Sequence, residues 1–351
     1  MKKRKNLQWL LILAVSLMAA SCAGWLSKGR GLQPQLTEPV ATLPSSLHGT
    51  TGGMQWWYEQ ADGFGPYSGV SYADAGCGNC HASTCDQCHA DVAGTQPAVE
   101  PDSCRKCHGR INKEAQMQVS DVHLAAGMVC SNCHSSDEVH GDGNQYNSMF
   151  SPGAMDTKCD NCHTELSDNS EHDRHGADFH CDACHVDTVI TCYNCHFDTL
   201  LKAHKKKAAA AFKGYIILLN DDNGKVRAGT YQSVVYGDKT FVAFGPYHGH
   251  AVTAEGRTCK DCHNSDRMRE LRDTDKIVMT RWDANKGKVE HTTGVIPFVP
   301  DKFKFQFVTV DRQAWVPLTK EAGQIQYKFC APLTGKQLYL LGAKGKPRVR
   351  P

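Results

Sequence analysis

Hydrophobic and polar positions divide the chain into stretches of three different textures. After a short apolar run, Trp9 to Ala20, residues 23–50 show no regular hydrophobic period. From residue 77 to about 210, apolar residues are too scattered to predict long helices or strands. From residue 215 onward, apolar runs alternate with Asn-Gly and Gly-Asp turns, a pattern that predicts β-strands.

The apolar runs of the C-terminal third predict individual strands. Phe303, Phe305 and Phe307 alternate with polar residues, as expected for one buried face of a strand. A short basic helix is predicted at residues 200–212, because alanine and lysine, both good helix formers, are frequent there. The predicted strands are Tyr215–Leu219, Thr230–Val235, Lys239–Phe244, Lys276–Trp282, Phe303–Val310 and Gln326–Phe329.

The middle stretch is dominated by a five-residue pattern, Cys-x-x-Cys-His, which occurs eight times and is numbered here motif 1 to motif 8. Motifs 1 to 7 fill the 120 residues from Cys77 to His196, and motif 8 is isolated downstream. The pattern is the attachment signature of c-type haem, in which two thiols become thioethers and the adjacent histidine binds iron. Zinc ribbons also use Cys-x2-Cys pairs but need no histidine directly after the second cysteine. The pattern therefore predicts eight covalently bound c-type haems.

Each predicted haem is assigned residues by the motif itself. The predicted thioether cysteines are Cys77, Cys80, Cys85, Cys88, Cys104, Cys107, Cys130, Cys133, Cys159, Cys162, Cys181, Cys184, Cys192, Cys195, Cys259 and Cys262. The predicted proximal iron ligands are His81, His89, His108, His134, His163, His185, His196 and His263. Of 18 cysteines only Cys22 and Cys330 remain, and Cys330 is expected to be buried and inert.

Each of eight irons also needs a sixth ligand, and ten histidines lie outside the motifs. Such histidines commonly bind the iron of a neighbouring haem, so mostly bis-histidine iron with low reduction potentials is predicted. Six distal candidates are close to a motif in sequence: His123, His140, His175, His180, His204 and His250. A second group of candidates comprises His48, His172, His248 and His291.

The short intervals between motifs require the predicted haems to be close together. Four residue steps separate His81 from Cys85, a reach of at most about 14 Å. Closely spaced haems allow electrons to hop between them. The predicted fold is a multihaem cytochrome c with little regular secondary structure, in which short helices and loops surround packed haems, plus a β-rich C-terminal region.

The N-terminus predicts export. A basic start and the apolar run indicate a signal peptide, and Ala19-Ala20-Ser21-Cys22 resembles a lipoprotein processing site, with lipid on Cys22. Ordinary cleavage without lipid is the alternative. Thioether attachment takes place outside the cytoplasmic membrane, so a periplasmic or cell-surface, membrane-anchored lipoprotein is expected. The predicted divisions are 1–21 signal peptide, 22–76 lipidated tether and aromatic lead-in, 77–210 seven-haem domain, and 211–351 β-rich region with the eighth haem at 259–263.

The net charge of the mature protein bears on which partners are expected. The formal net charge of +2 includes the basic residues of the signal peptide. Removing that peptide and adding haem propionates leaves an acidic particle, which argues against nucleic acid as a partner.

The eight motifs and interleaved histidines, from His81 to His263, resemble those of multihaem, in particular octahaem, c-type cytochromes of anaerobic respiring, metal- and sulfur-reducing bacteria. The resemblance implies an electron carrier rather than an enzyme. Its implied partners are other cytochromes or redox proteins, an outer-membrane conduit, or a mineral or electrode acceptor.

Two alternatives stay open. One is an octahaem oxidoreductase of the tetrathionate, nitrite or hydroxylamine type with one open-site haem. Some such enzymes replace a proximal histidine by lysine, whereas all eight motifs here keep histidine. The other is self-assembly as the subunit of a polymeric haem wire.

Overall fold

A computed structural model describes residues 42–50, 52–77, 84–89 and 99–342 of the chain. The predicted signal peptide, the lipidation site Cys22 and the motif 1 residues Cys80 and His81 lie outside these ranges. Inside them the longest helix has nine residues, and none is both long and apolar enough to cross a bilayer.

Six strands form one sheet in the C-terminal half. They are β1 (Val189–His196), β2 (Ala208–Asn220), β3 (Val226–Tyr236), β4 (Lys239–Pro246), β8 (Gly294–Pro297) and β12 (Gln324–Tyr327), in the order β12-β4-β3-β1-β2-β8. β2 and β3 form a hairpin whose turn uses the left-handed backbone of Gly224 (φ +79°). The two strands pair near this turn and separate further away, where β1 lies between them, antiparallel to β2 and parallel to β3.

The remaining strands form three two-stranded sheets. They are β5 (Ile277–Val278), β6 (Thr280–Asp283), β7 (Lys288–His291), β9 (Phe303–Lys304), β10 (Val308–Asp311) and β11 (Ala314–Pro317). β5 pairs with β9 in parallel, whereas β6 with β7 and β10 with β11 are antiparallel pairs. These short pairs extend the β-rich region around the six-stranded sheet.

Aromatic residues fill the core of this region. Tyr193, Tyr215, Tyr231 and Phe244 are each at most 2 % exposed. A tyrosine buried in this core can still hydrogen bond through its hydroxyl group: that of Tyr193 lies 2.9 Å from the Thr280 hydroxyl. Phe303, Phe305 and Phe307 all join this core, as their alternation predicts.

Helices dominate the N-terminal half, and they are short. Those between residues 101 and 185 have four to eight residues, too few to be stable in isolation. The α-helices are α1 (Gly52–Glu59), α2 (Phe64–Ser68), α3 (Pro101–Arg105), α4 (Gly109–Gln116), α5 (Val122–Ala125), α6 (Ser136–His140), α7 (Ser170–His175), α8 (Cys181–His185), α9 (Phe197–Ala203), α10 (Cys259–Cys262), α11 (Asp266–Thr274) and α12 (Gly335–Leu340).

The predicted fold class is wrong. The chain forms a six-stranded sheet with further strand pairs and its own aromatic core, rather than a molecule with little regular structure. The error arose at motif 7, because β1 includes Cys192, Cys195 and His196 and pairs with β2 and β3. A haem motif is thus part of the sheet, and the predicted division between residues 210 and 211 falls inside β2.

One local prediction also differs from the structure. The basic helix predicted at 200–212 ends at Ala203, and β2 begins at Ala208. The aromatic lead-in before motif 1 packs on rings of the β-rich region. Phe64 lies 4.8 Å from the ring centre of Phe197 and 5.3 Å from that of Phe241.

Asn194, inside motif 7, connects β1 to β10. It is fully buried, and its backbone is left-handed with φ +56°. Its side-chain amide donates to the carbonyl of Val308 at 2.6 Å and accepts from the Val308 amide at 2.9 Å. Its own backbone amide donates to Ser233 at 2.8 Å. Asparagine tolerates this backbone conformation better than most residues. The same residue therefore suits both the left-handed backbone and the two hydrogen bonds to Val308.

We expect Asn194→Ala to lower the free energy of unfolding by about 3 kcal/mol, because it leaves both backbone groups of Val308 buried without partners. Urea unfolding followed by circular dichroism measures this change. Asn161→Ala, at the same position of motif 5, is the control. Its exposed side chain makes one hydrogen bond, so the loss should stay within about 0.5 kcal/mol. Equal losses in both variants would contradict the role of Asn194.

Candidate haem-binding sites

Most of the motifs share one backbone turn. The backbone amide of the motif histidine donates to the carbonyl of the first cysteine at 2.8–2.9 Å in motifs 2, 3, 4, 5 and 8. Motif 6 forms the short helix α8. A turn of this kind brings the two cysteines and the histidine of a motif onto one local surface, as attachment to a single porphyrin requires.

The thiols of the motifs are accessible. The motif cysteines from Cys85 onward form no disulfides with one another, and each is partly or fully exposed. Cys330, in contrast, is buried, and burial, followed by the charge of Asp222, raises its pKa to about 12. Its burial should therefore keep Cys330 inert, whereas the sulfurs of the motifs are accessible at the surface.

Six motif histidines each face one histidine from outside the motifs. The two ring centres are 5.9–6.3 Å apart in every pair. The pairs are His89–His140 for motif 2, His108–His48 for motif 3, His134–His250 for motif 4, His163–His123 for motif 5, His185–His172 for motif 6 and His263–His175 for motif 8.

This separation matches two imidazoles on opposite sides of one iron. A ring nitrogen bonds a transition metal at about 2.0 Å and the ring centre lies roughly 1.2 Å further away, so two such rings are roughly 6.4 Å apart. Rings joined by a direct hydrogen bond would be closer, and no such bond links any of the six pairs in the described chain. The residues therefore fit bis-histidine haem ligation.

The outer ring nitrogens of the paired histidines strengthen this fit. Histidines that bind a metal usually hydrogen bond through their other nitrogen, which fixes the ring. Nδ1 of His185 lies 3.1 Å from the Thr253 carbonyl, and Nδ1 of His263 lies 2.9 Å from the Leu340 carbonyl. The same is true of His134, His140, His172 and His175, all through Nδ1. Nε2 is thereby directed to the partner ring.

Four distal candidates are not placed in such a pair. His180 uses Nε2 to contact Asp221 at 2.8 Å, and His291 uses Nε2 to contact the Lys213 carbonyl at 2.7 Å. His248 stacks on Phe150, with ring centres 5.4 Å apart. His204 is exposed at the end of α9. Histidines 48 and 172, both from the second group of candidates, take part in pairs.

The signal for His172 was present in the sequence. His172 and His175 are three residues apart, and Asn169 caps the helix by accepting from the backbone amides of Glu171 and His172 at 3.1 and 2.9 Å. Both rings thus lie on one side of α7, so this helix supplies ligands to the sites of motifs 6 and 8. His48 gave no comparable signal, because its partner His108 is 60 residues away.

The predicted complement of eight haems requires correction. Among the described residues, no group of three or more His, Cys, Asp or Glu side chains could hold a metal ion. What the chain presents is six sites of two facing histidines. Two donors hold iron only if another group, such as a porphyrin, supplies the other four. Motif 7 lacks a second histidine in this part of the chain, and His81 of motif 1 lies outside it.

Motif 7 differs from the others in its backbone and its neighbours. The amide of His196 donates to the Lys207 carbonyl at 2.8 Å, across the β1–β2 pair. Nδ1 of His196 lies 2.8 Å from the Thr199 hydroxyl, and the ring facing His196 is Trp315. Burial, partly opposed by Asp198 and reinforced by Lys207, lowers the pKa of His196.

Contacts between thiols give the order of the motifs in space. Cys104 is a neighbour of Cys130, and Cys159 is a neighbour of Cys181. Four further pairs are also neighbours: Cys88 and Cys107, Cys133 and Cys162, Cys184 and Cys262, and Cys77 and Cys195. The motifs therefore follow one another in the order 2-3-4-5-6-8, and Cys77 of motif 1 lies near motif 7.

The His134–His250 pair has a buried carboxylate behind His134. Oε2 of Glu138 lies 2.7 Å from Nδ1 of His134, and Thr157 donates to the same carboxylate from its amide and hydroxyl at 2.5 and 2.8 Å. Burial alone would raise the pKa of Glu138, but hydrogen bonds with Asp156, His134 and Thr157 lower it to about 2. The carboxylate is therefore ionised at neutral pH.

Comparisons of this chain with protein-family models, with curated proteins and with solved structures gave no match. The assignment of the sites consequently rests on the motifs and the paired histidines.

Alkylation of the purified, pigmented protein tests the thioether assignment. After reduction and denaturation, we expect a maleimide to label Cys330 but none of the twelve cysteines of motifs 2 to 6 and 8, because their sulfurs are blocked. Peptide mass spectrometry locates the label. Protein produced without haem attachment is the control and should be labelled at the motifs. Labelled motif cysteines in the pigmented protein would contradict covalent attachment.

Proposed function

We propose that this chain is a multihaem c-type cytochrome that passes electrons between periplasmic or cell-surface redox partners. The observation that supports this most is the set of six histidine pairs, each joining one motif histidine to one other histidine at 5.9–6.3 Å. When bound at such a pair, haem supplies a one-electron iron couple with no open position. Electron transfer without bond chemistry is the function that such closed sites favour.

The protein's own residues provide three things in this proposal. The paired histidines hold iron from both sides, and their Nδ1 hydrogen bonds keep each ring oriented. The thiol contacts from motif 2 through to motif 8 place successive sites next to one another. Helix α7 joins the last two by supplying His172 and His175. Electrons would therefore pass along one row of six sites.

Export and anchoring belong to the same proposal. Haem attachment through cysteine thioethers takes place outside the cytoplasmic membrane, and the sequence begins with a basic and then an apolar segment. Lipid on Cys22 would hold the protein at a membrane surface, where other cytochromes, an outer-membrane conduit or an extracellular acceptor could receive electrons. Labelling cells with palmitate and following Cys22→Ala would test the anchor.

A matched pair of variants tests the ligand assignment. His248 and His250 are two residues apart, but only His250 faces a motif histidine, at 6.3 Å from His134. We expect His250→Ala to convert one low-spin iron per chain to high spin, because the iron of motif 4 loses one axial ligand. Electron paramagnetic resonance of the oxidised protein measures this conversion.

His248→Ala is the control and should leave the number of low-spin irons unchanged. Both variants keep all motif cysteines, so their haem content should equal that of the wild type. An unchanged spectrum in His250→Ala would contradict the pairing, and a protein without bound haem would contradict the whole proposal.

Glu138 should set the reduction potential of the motif 4 iron. An ionised carboxylate at Nδ1 makes His134 a stronger donor and stabilises oxidised iron. We expect Glu138→Gln to raise this potential by about 60 mV, equivalent to about 1.4 kcal/mol. A spectroelectrochemical titration measures the shift. Glu165→Gln, the same substitution at an exposed position, is the control, and equal titrations of both variants would contradict the role of Glu138.

A further inference from the structure

We propose that Arg257 raises the reduction potentials of the irons at motifs 6 and 8 together, which gives electron transfer along the row a direction toward motif 8. The inference deepens the proposed function and rests on it. A fixed positive charge stabilises reduced iron, because reduction removes one positive charge from the site. Three features of the chain support this role: the place where the guanidinium is held, the lack of a neutralising carboxylate, and the opposite charge at motif 4.

Arg257 is tied to motif 6 and lies just before motif 8. Its backbone amide donates to the carbonyl of Cys184 at 3.0 Å. One terminal nitrogen of its guanidinium, Nη2, donates to the carbonyls of Val186 and Asp187 at 2.6 and 2.5 Å. Motif 8 begins two residues further along the chain, at Cys259. The guanidinium is therefore held at the junction of the two motifs.

The charge of Arg257 lies beside both sites. It is a neighbour of Cys184 in motif 6 and of Cys262 in motif 8, and these two cysteines are neighbours of each other. Burial raises the pKa of both thiols, and the positive charge of Arg257 opposes this rise in each. Since each cysteine would be joined to a different porphyrin, one guanidinium would act on two adjacent irons.

No carboxylate pairs with Arg257 in the described part of the chain. Its Nε is buried and has no hydrogen-bond partner among the described residues. An ion pair cancels much of the field of a charge, whereas an unpaired, half-buried guanidinium keeps it. Six other arginines do pair with an aspartate or glutamate: Arg105, Arg227, Arg267, Arg269, Arg272 and Arg281.

The acidic residues inside the two motifs do not offset Arg257. Asp182 of motif 6 forms its own ion pair with Arg227 at 2.7 Å, so these two charges largely cancel. Asp261 of motif 8 accepts from the amide and hydroxyl of Thr258 at 2.7 and 2.8 Å. Its side chain is exposed, so solvent and salt screen its charge. The field of these residues at both motifs is therefore positive.

Motif 4 has the opposite charge behind its histidine pair. The carboxylate of Glu138 is buried and ionised, and it lies 2.7 Å from Nδ1 of His134. A negative charge there stabilises oxidised iron, so the potential should be lower at motif 4 than at motifs 6 and 8. Electrons move toward the higher potential. Those in the row should therefore collect at motifs 6 and 8 and leave from this end.

Redox titrations of single irons test the proposal. His172→Ala, His175→Ala and His250→Ala each remove one second ligand, so each should make one iron high spin, at motif 6, 8 or 4 respectively. The high-spin electron paramagnetic resonance signal then reports the potential of that iron alone. Adding Arg257→Gln should lower the ratio of reduced to oxidised iron about tenfold at motifs 6 and 8, equivalent to about 59 mV. The iron of motif 4 is the control and should not change.

Two further variants separate charge from structure. Arg257→Lys keeps the positive charge and should leave the potentials at motifs 6 and 8 unchanged at neutral pH. Arg281→Gln removes an exposed arginine that pairs with Glu290 at 3.0 Å, and it should leave all three irons unchanged.

The lysine variant also decides the question if Arg257→Gln fails to fold. Lysine loses its charge as the pH rises through a pKa of about 10.4, whereas arginine stays charged. The potentials at motifs 6 and 8 should therefore fall at high pH in Arg257→Lys relative to the wild type. Potentials that follow the wild type at every pH would overturn the inference.

The outcomes separate this inference from the proposed function. Unchanged potentials at motifs 6 and 8 in folded Arg257→Gln would overturn the role of Arg257, as would an equal shift at motif 4. Arg257→Lys behaving like Arg257→Gln at neutral pH would overturn it too, because the charge would then not be the cause. In each case the low-spin irons are still present and electron transfer stands. A protein with no bound haem would remove both proposals.

Discussion

The arrangement of the N-terminal half centres on six pairs of facing histidines at one repeated separation. Helices of four to eight residues, as found between residues 101 and 185, do not persist in water without tertiary contacts. The core of this region is small, and its most regular feature is the repeated histidine separation. Two rings at that separation neither stack closely nor hydrogen bond, so their arrangement is stabilised when both bind one metal. If haem joins these pairs as proposed, folding and cofactor binding would be one process here.

The C-terminal half follows a different principle. Its sheet has an aromatic core of ordinary protein type, with Tyr193, Tyr215 and Tyr231 buried among phenylalanines. Motif 7 lies within this sheet and motif 8 on α10 between β4 and β5, so both halves of the chain contain motifs. The C-terminal half, which has its own core, thus positions motif 8 at the end of the series of motifs. The short helices that carry the other motifs of the series have no such core. This division explains why one chain contains both very short helices and long strands.

The sequence predicted the strands of the C-terminal half well. Apolar runs between turn residues located β2, β3 and β4, because that signal is local. The haem chemistry of the motifs stays a prediction. Nearness to a motif selected four histidines that do face a motif histidine, but it also selected His180 and His204, which do not. His180 directly precedes Cys181, yet Asp221, 41 residues away, engages its Nε2. The prediction of the fold class is wrong because Val189, Ile190 and Thr191 form a strand that continues into motif 7. This β-branched run was the local signal for that strand.

Helix α7 has a consequence for how the row would fail. It is six residues long, capped by Asn169, and in the proposed function it would provide one ligand to each of two adjacent sites through His172 and His175. When so short a segment frays, both ligands detach together. Damage at this point would therefore interrupt two consecutive relays in a single event, and repair of the helix would restore both. Helix α7 is therefore the point at which a single local change would affect two sites.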